Sequence, residues 1–277
     1  SYKNIAIILP FTLAVGITMP LFVAYLIYHL KNANLRYWFR VLFTVPMVVP
    51  GIVMLLIWIF MYTPSGGINT ILTHPSIADA INLYWKRYGG KIQFLADCGW
   101  MEGTDTLGAI DYSIDKGANI CYLQGEVADK LVKEDNWDYI DKCLERVRQA
   151  GLPMGIGAHR IETLRAIAEK GISPDFWMKT FHPTNYWSHR HPEEHDNKYC
   201  YDPTDTIAFM NEREEPWIAF KVMAAGAVRP QQAFRYAFEN GADFICAGMY
   251  DFQVVEDVNI AVDDLGGKLT RRRPWYA

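Results

Sequence analysis

The sequence predicts an α/β protein in which parallel βα units follow two transmembrane helices. Three observations predict it. The first 72 residues carry Lys3, Lys31, Arg36 and Arg40 but no Asp or Glu, and hold two long uncharged apolar runs. From His74 onward, short apolar β-type runs alternate with helical patterns. The remaining residues hold 23 basic and 31 acidic side chains, so the charge changes sign at the same place as the pattern. The whole-chain net charge of −4 hides that asymmetry, and the acidic second part argues against nucleic acid as a partner.

The first apolar run lies between Lys3 and Lys31 and contains IAIILPFTLAVGITMPLFVAYLIYHL; the second follows Arg40 as VLFTVPMVVPGIVMLLIWIFMY. A spanning helix needs roughly 20 apolar residues, which both supply. Pro10, Pro20, Pro46 and Pro50 would break helices in water but are tolerated in a membrane, where neighbouring helices re-satisfy the freed carbonyls. The intervening loop KNANLRYWFR carries three of the four positive charges, so the positive-inside rule puts it in the cytoplasm and the segment after the second helix on the far side. Membrane lipid is then the first expected partner and the inner membrane the expected location.

The stretch LRYWFRVLFTVPMVVPGIVMLLIWIFMYTPSGGINTIL resembles a membrane-spanning part of binding-protein-dependent, sugar-type ABC transporter permeases. Phe39, Arg40, Pro46, Trp58, Pro64, Gly66 and Asn69 occupy the places of that family's pattern. The resemblance implies transporter subunits as partners for residues 1–72. The family's cytoplasmic coupling loop of Glu-Ala-Ala type does not follow Leu72, so the segment reads as a truncated permease.

In residues 73–277 strands are expected at 92–97, 119–124, 154–158, 176–181, 217–225 and 244–248. Between them WDYIDKCLERVRQAG, IETLRAIAEKG and RPQQAFRYAFENG have helical spacing and end on glycine. Six βα units make a partial (β/α)8, or TIM, barrel. The last two, KVMAAGAVRPQQAFRYAFENGADFICAGMYD, resemble the seventh and eighth units of TIM-barrel enzymes, so the first two units would be missing. That resemblance implies a phosphate site on the backbone of Ala225, Gly226, Ala227, Gly248 and Met249. This part also resembles bacterial barrel proteins akin to aldo-keto reductases, although the early units that carry that family's catalytic Asp and Tyr are not found.

Barrel active sites lie at the carboxyl ends of the strands, which nominates Asp97, His159, His182 and Lys221 as catalytic residues. Lys221 is expected inside an apolar strand, where desolvation would free its amine for Schiff-base or general-base work. His182, His189, His191, Glu193, Glu194, His195 and Asp196 crowd into fifteen residues. Of these His189, His191 and His195 could hold a divalent metal, although the spacing also fits a polar lid without one. Five cysteines without a C-x-x-C pair read as reduced thiols of a domain that alone would be cytoplasmic. The tail KLTRRRPWYA reads as a solvated terminus. The whole is expected to be a composite of permease segment and incomplete barrel; the alternative is a membrane-anchored barrel enzyme acting on a small carbonyl, sugar or phosphorylated substrate.

Overall fold

All six expected strands form in the computed structural model, which describes residues 70–190 and 200–276. They are β2 (Gln93–Cys98), β3 (Ile120–Leu123), β4 (Met154–Ala158), β5 (Phe176–Thr180), β6 (Trp217–Phe220) and β7 (Phe244–Cys246). A further strand precedes them. Thr70–Thr73 (β1) pairs in parallel with Gln93–Ala96 and leads into helix α1 (Ala78–Tyr88). A boundary at residue 72 therefore cuts a strand, and the described sheet is one strand short of eight rather than two. Thr70, Ile71 and Thr73 are β-branched and stiff, which suits a strand. In the sequence, however, so short a run next to a long apolar segment looks like the tail of that segment.

The sheet is parallel throughout, each strand pairing with the next in sequence from β1 to β7, and no described pairing joins β7 back to β1. Helices α2 (Thr106–Asp115), α3 (Gly125–Lys133), α4 (Trp137–Gln149), α5 (Ile161–Glu169), α6 (Pro203–Asn211) and α7 (Pro230–Glu239) provide the crossovers, and α8 (Val254–Gly266) follows β7. Their ends follow local chemistry. Asp105 and Asp202 accept backbone N–H groups at the starts of α2 and α6, Pro203 and Pro230 sit where no N–H is needed, and Gly89 closes α1 at φ 62°. Helix α4 buries Ile140, Cys143, Leu144 and Val147, the spacing that puts one face on the sheet.

Two apolar layers result. Phe94, Leu123, Ile156, Trp177 and Trp217 face the helices, while Leu95, Tyr122, Phe176 and Met178 fill the inside of the half-barrel. Strand β4 is buried along its whole length, and its glycines make the inner layer possible. A Cβ at Gly155 would stand 2.2 Å from the Phe176 ring, and one at Gly157 would stand 3.0 Å from Tyr122.

Two expectations change at the end of the sheet. Strand β6 stops at Phe220, because Lys221 takes a left-handed backbone (φ 57°) that a strand cannot continue. Two arginines of the tail are not solvated as expected. Arg273 is 3% exposed, and its Nη1 lies 2.5 Å from Asp243, which also pairs with Arg271 at 3.1 Å. Asp243, just ahead of β7, also accepts the backbone N–H groups of Trp217 and Tyr276. A buried carboxylate there requires a counter-charge, which the two arginines provide.

Among the described residues no helix is long and apolar enough to cross a membrane. Both apolar runs read as transmembrane helices, with the permease-like pattern they carry, lie outside the described residues.

Candidate active site at the carboxyl ends of the strands

His159 follows directly on β4, and its Nδ1 lies 3.2 Å from Oδ2 of Asp129, a residue of α3. The His159 backbone N–H donates to the same oxygen at 3.2 Å, and Thr163 Oγ1 donates to the other at 2.7 Å. Burial pushes the Asp129 carboxyl up, but the hydrogen bonds from His159 and Thr163 outweigh it and hold the group below the usual range. Asp129 thus stays an anion that orients the imidazole and favours the tautomer with its proton on Nδ1. The ring stands edge-on to Phe220 at 5.6 Å.

Asp97, at the end of β2, is the second group. Its Oδ2 accepts from Gln124 at 3.5 Å, and its Oδ1 is buried without a hydrogen-bond partner among the described residues. Burial raises its carboxyl, against hydrogen bonds from Tyr122 and Gln124 and the nearby charges of His74 and His159. A carboxyl that holds its proton more tightly than usual and an imidazole held by an anion are the kinds of group that acid–base chemistry uses, and the charge of His159 is felt at Asp97.

The other expected catalytic residues fare differently. His182 is 1% exposed and both ring nitrogens are used: Nε2 accepts the Cys200 backbone N–H at 2.9 Å, so Nδ1 carries the proton and donates to the Pro183 carbonyl at 3.0 Å. Burial lowers its pKa to about 4, so the ring is neutral and ties the two ends of the loop between β5 and α6. Lys221 is half-buried just past β6 and not inside the strand. The lysine that is buried in a strand is Lys179, at 2% exposure on the helix side of β5 beside Trp177. Burial lowers its pKa, and Nζ donates to the carbonyls of His159 and Thr180 at 2.8 Å each. It therefore fixes the backbone on which His159 sits. It also lines, with His159, Tyr201 and Thr206, a cavity of about 320 Å3.

Ala225, Gly226 and Ala227 form an exposed turn in which Ala224, Ala225 and Gly226 all have positive φ. The N–H groups of Gly226 and Ala227 are engaged by the carbonyls of Met223 and Ala224. Gly248 is exposed and Met249 half-buried. Of the three histidines considered for a metal, His189 packs its ring against Tyr186 at 5.5 Å, and His191 and His195 lie outside the described residues. Among the described residues no three His, Cys, Asp or Glu side chains converge as metal ligands. All five cysteines are free thiols, and burial pushes those of Cys143 and Cys246 up to about 12.

Asp129, the carboxylate that holds the His159 ring, is the site member that sequence reasoning missed, because it lies in a helix and not at a strand end. A signal was present: it is four residues after Gly125 and next to Ala128, both buried, so it shares the helix face that meets the sheet.

No family model matches the chain, and no curated protein matches it. Among solved structures it is similar to a Pseudomonas aeruginosa protein provisionally assigned as an aldo-keto reductase, with 16% identity, TM-score 0.51, and coverage of 76% of this chain and 83% of the other. A second structure so assigned from the same organism gives 18% identity and TM-score 0.49, covering 72% of this chain and 78% of that one. The 3-hexulose-6-phosphate synthase of Salmonella typhimurium gives 14% and 0.46, covering 75% and 92%. At these identities the likeness is one of fold: residues 70–276 are a parallel β/α half-barrel of the TIM-barrel kind.

Proposed function

We propose that the half-barrel is an enzyme that moves a proton on a small carbonyl or sugar substrate, with His159 as base and Asp97 as acid. The observation that carries this reading is the His159–Asp129 pair, in which a half-buried anion orients an imidazole at the carboxyl end of a strand. Such positioned acid–base groups contribute typically 10²–10⁴-fold to a rate. Asp129 is the positioning residue: it holds the tautomer, and Lys179 holds the backbone beneath it. A phosphate on the substrate would meet the Lys221 side chain beside the turn at Ala225–Ala227.

The test is exchange of substrate C–H for deuterium in heavy water, followed by proton NMR across a panel of small ketones, aldoses and their phosphates. Exchange with at least one compound, reduced by about 10²-fold or more in His159→Gln and by a smaller factor in Asp129→Asn, is the expected result. Exchange unchanged in His159→Gln would overturn the assignment. A divalent ion held by His189, His191 and His195 would instead make exchange sensitive to chelator.

A second reading concerns residues 1–69, whose uncharged runs favour membrane attachment of the half-barrel and ancestry in a sugar-type permease. Retention of the full chain in the membrane pellet after alkaline carbonate is its expected behaviour, and release into the supernatant would refute it.

A further inference from the structure

Away from His159, helices α7 and α8 pack together, and a cavity of about 510 Å3 lies between their first turns. Its lining includes Arg229, Gln231, Gln253, Glu256 and Asp257. Asp257 is 3% exposed, and its carboxylate makes no hydrogen bond or ion pair among the described residues. An acidic residue at a helix start is commonly relieved by capping a backbone N–H, but α8 has no side-chain cap. Burial and then the charge of Glu256 raise the Asp257 carboxyl, so the protein itself leaves this group uncompensated. A nearly buried, unpartnered carboxylate in a cavity wall calls for a cation from outside the chain.

Arg229 adds a second, opposite demand. It is the exposed residue ahead of Pro230, it has no ion pair among the described residues, and it lines the same cavity. A bare cation would meet the guanidinium, and a bare anion would meet two carboxylates. A ligand with one charge of each sign satisfies both ends.

We propose that this cavity binds a small zwitterion, its ammonium on Asp257 and Glu256 and its carboxylate on Arg229. The site is separate from the His159 neighbourhood, and binding there requires no turnover, so the inference stands or falls independently of the acid–base reading. The cavity exceeds the smallest amino acids in volume, which leaves the separation of the two charges to be found by titration.

Isothermal titration of the full chain with the ω-amino acids from glycine to 6-aminohexanoate tests this, with propionate, propylamine and inorganic phosphate as single-charge controls. Saturable binding of at least one amino acid is expected, with each control weaker by about tenfold or more, the scale of one charged hydrogen bond. Asp257→Asn and Arg229→Gln should each weaken that binding by about the same factor while the melting curve holds. Arg229 is exposed, so its variant carries the test even if Asp257→Asn fails to fold. The proposal is overturned if no amino acid binds, if a control binds as well as the best amino acid, or if binding survives both substitutions.

Discussion

Replacing Asp243 by Ala should destabilise the half-barrel more than any change to the surrounding charged tail. The carboxylate is fully buried, bridges Arg271 and Arg273, and accepts two backbone N–H groups. Removing it leaves Arg273, whose side chain is 1% exposed, as a charge with neutral partners, the carbonyls of Gly241, Arg213 and Glu215 and the Tyr276 ring. Breaking one partner of such a buried pair costs about 3–5 kcal/mol, which for a domain of this size lowers the melting temperature by roughly 6–20 °C. Thermal melts followed by circular dichroism measure it, with Arg272→Ala as the internal control. Arg272 lies between Arg271 and Arg273 but is itself exposed, and its substitution should stay within about 0.5 kcal/mol of the parent. Equal melting of Asp243→Ala and Arg272→Ala would refute the view that the tail is held by the buried carboxylate.

Three more outcomes follow from the geometry. His182 has a folded pKa of about 4 against an ordinary 6.5, so the unfolded chain takes up a proton that the folded one refuses between those values. Stability contributed by the neutral ring is therefore complete above pH 6.5 and falls by about 3 kcal/mol as the pH drops to 4. Urea unfolding at pH 7 and pH 4.5 should show this slope, flattened in His182→Gln; an equal slope in both would sink it. Gly155→Ala should cost about 1–3 kcal/mol, because the new methyl stands 2.2 Å from the Phe176 ring, and Phe176→Leu in the same chain should recover part of it. Additive losses in that double variant would contradict the packing. Lys179→Met should lower the exchange rate through the His159 carbonyl it holds, and an unaltered rate would remove it from the positioning frame.

Six strands were legible because parallel strands buried on both faces read as short continuous apolar runs, as in FWMKTF and MGIGA. Strand β1 was hidden by its neighbourhood: Thr70–Thr73 has strand chemistry, but it stands beside residues read as membrane segment. Lys221 was misplaced because nothing in WIAFKVMAA announces a left-handed lysine after Phe220. His159 was legible from its position after a strand, whereas its partner Asp129 was not, since the pairing spans thirty residues and two elements. The same distance concealed the tail. Arg273 and Asp243 are also thirty residues apart, and composition alone makes three consecutive arginines look exposed. The different settings of His182 and His159 depend on which groups reach the ring nitrogens, backbone groups for the first and the Asp129 carboxylate for the second, information that only the folded chain contains.

The Asp243 cluster also bears on how the chain is made. Synthesis produces the carboxylate thirty residues before Arg273, so during that interval the group has no guanidinium to meet and keeps its water. Strand β7 gives up that hydration at a cost that the Trp217 N–H of β6 offsets only in part until the later segment has emerged. The sheet can grow from β1 onward as the ribosome moves, but its last strand waits on residues synthesised after it, which makes that strand the step most exposed to chaperones and proteases.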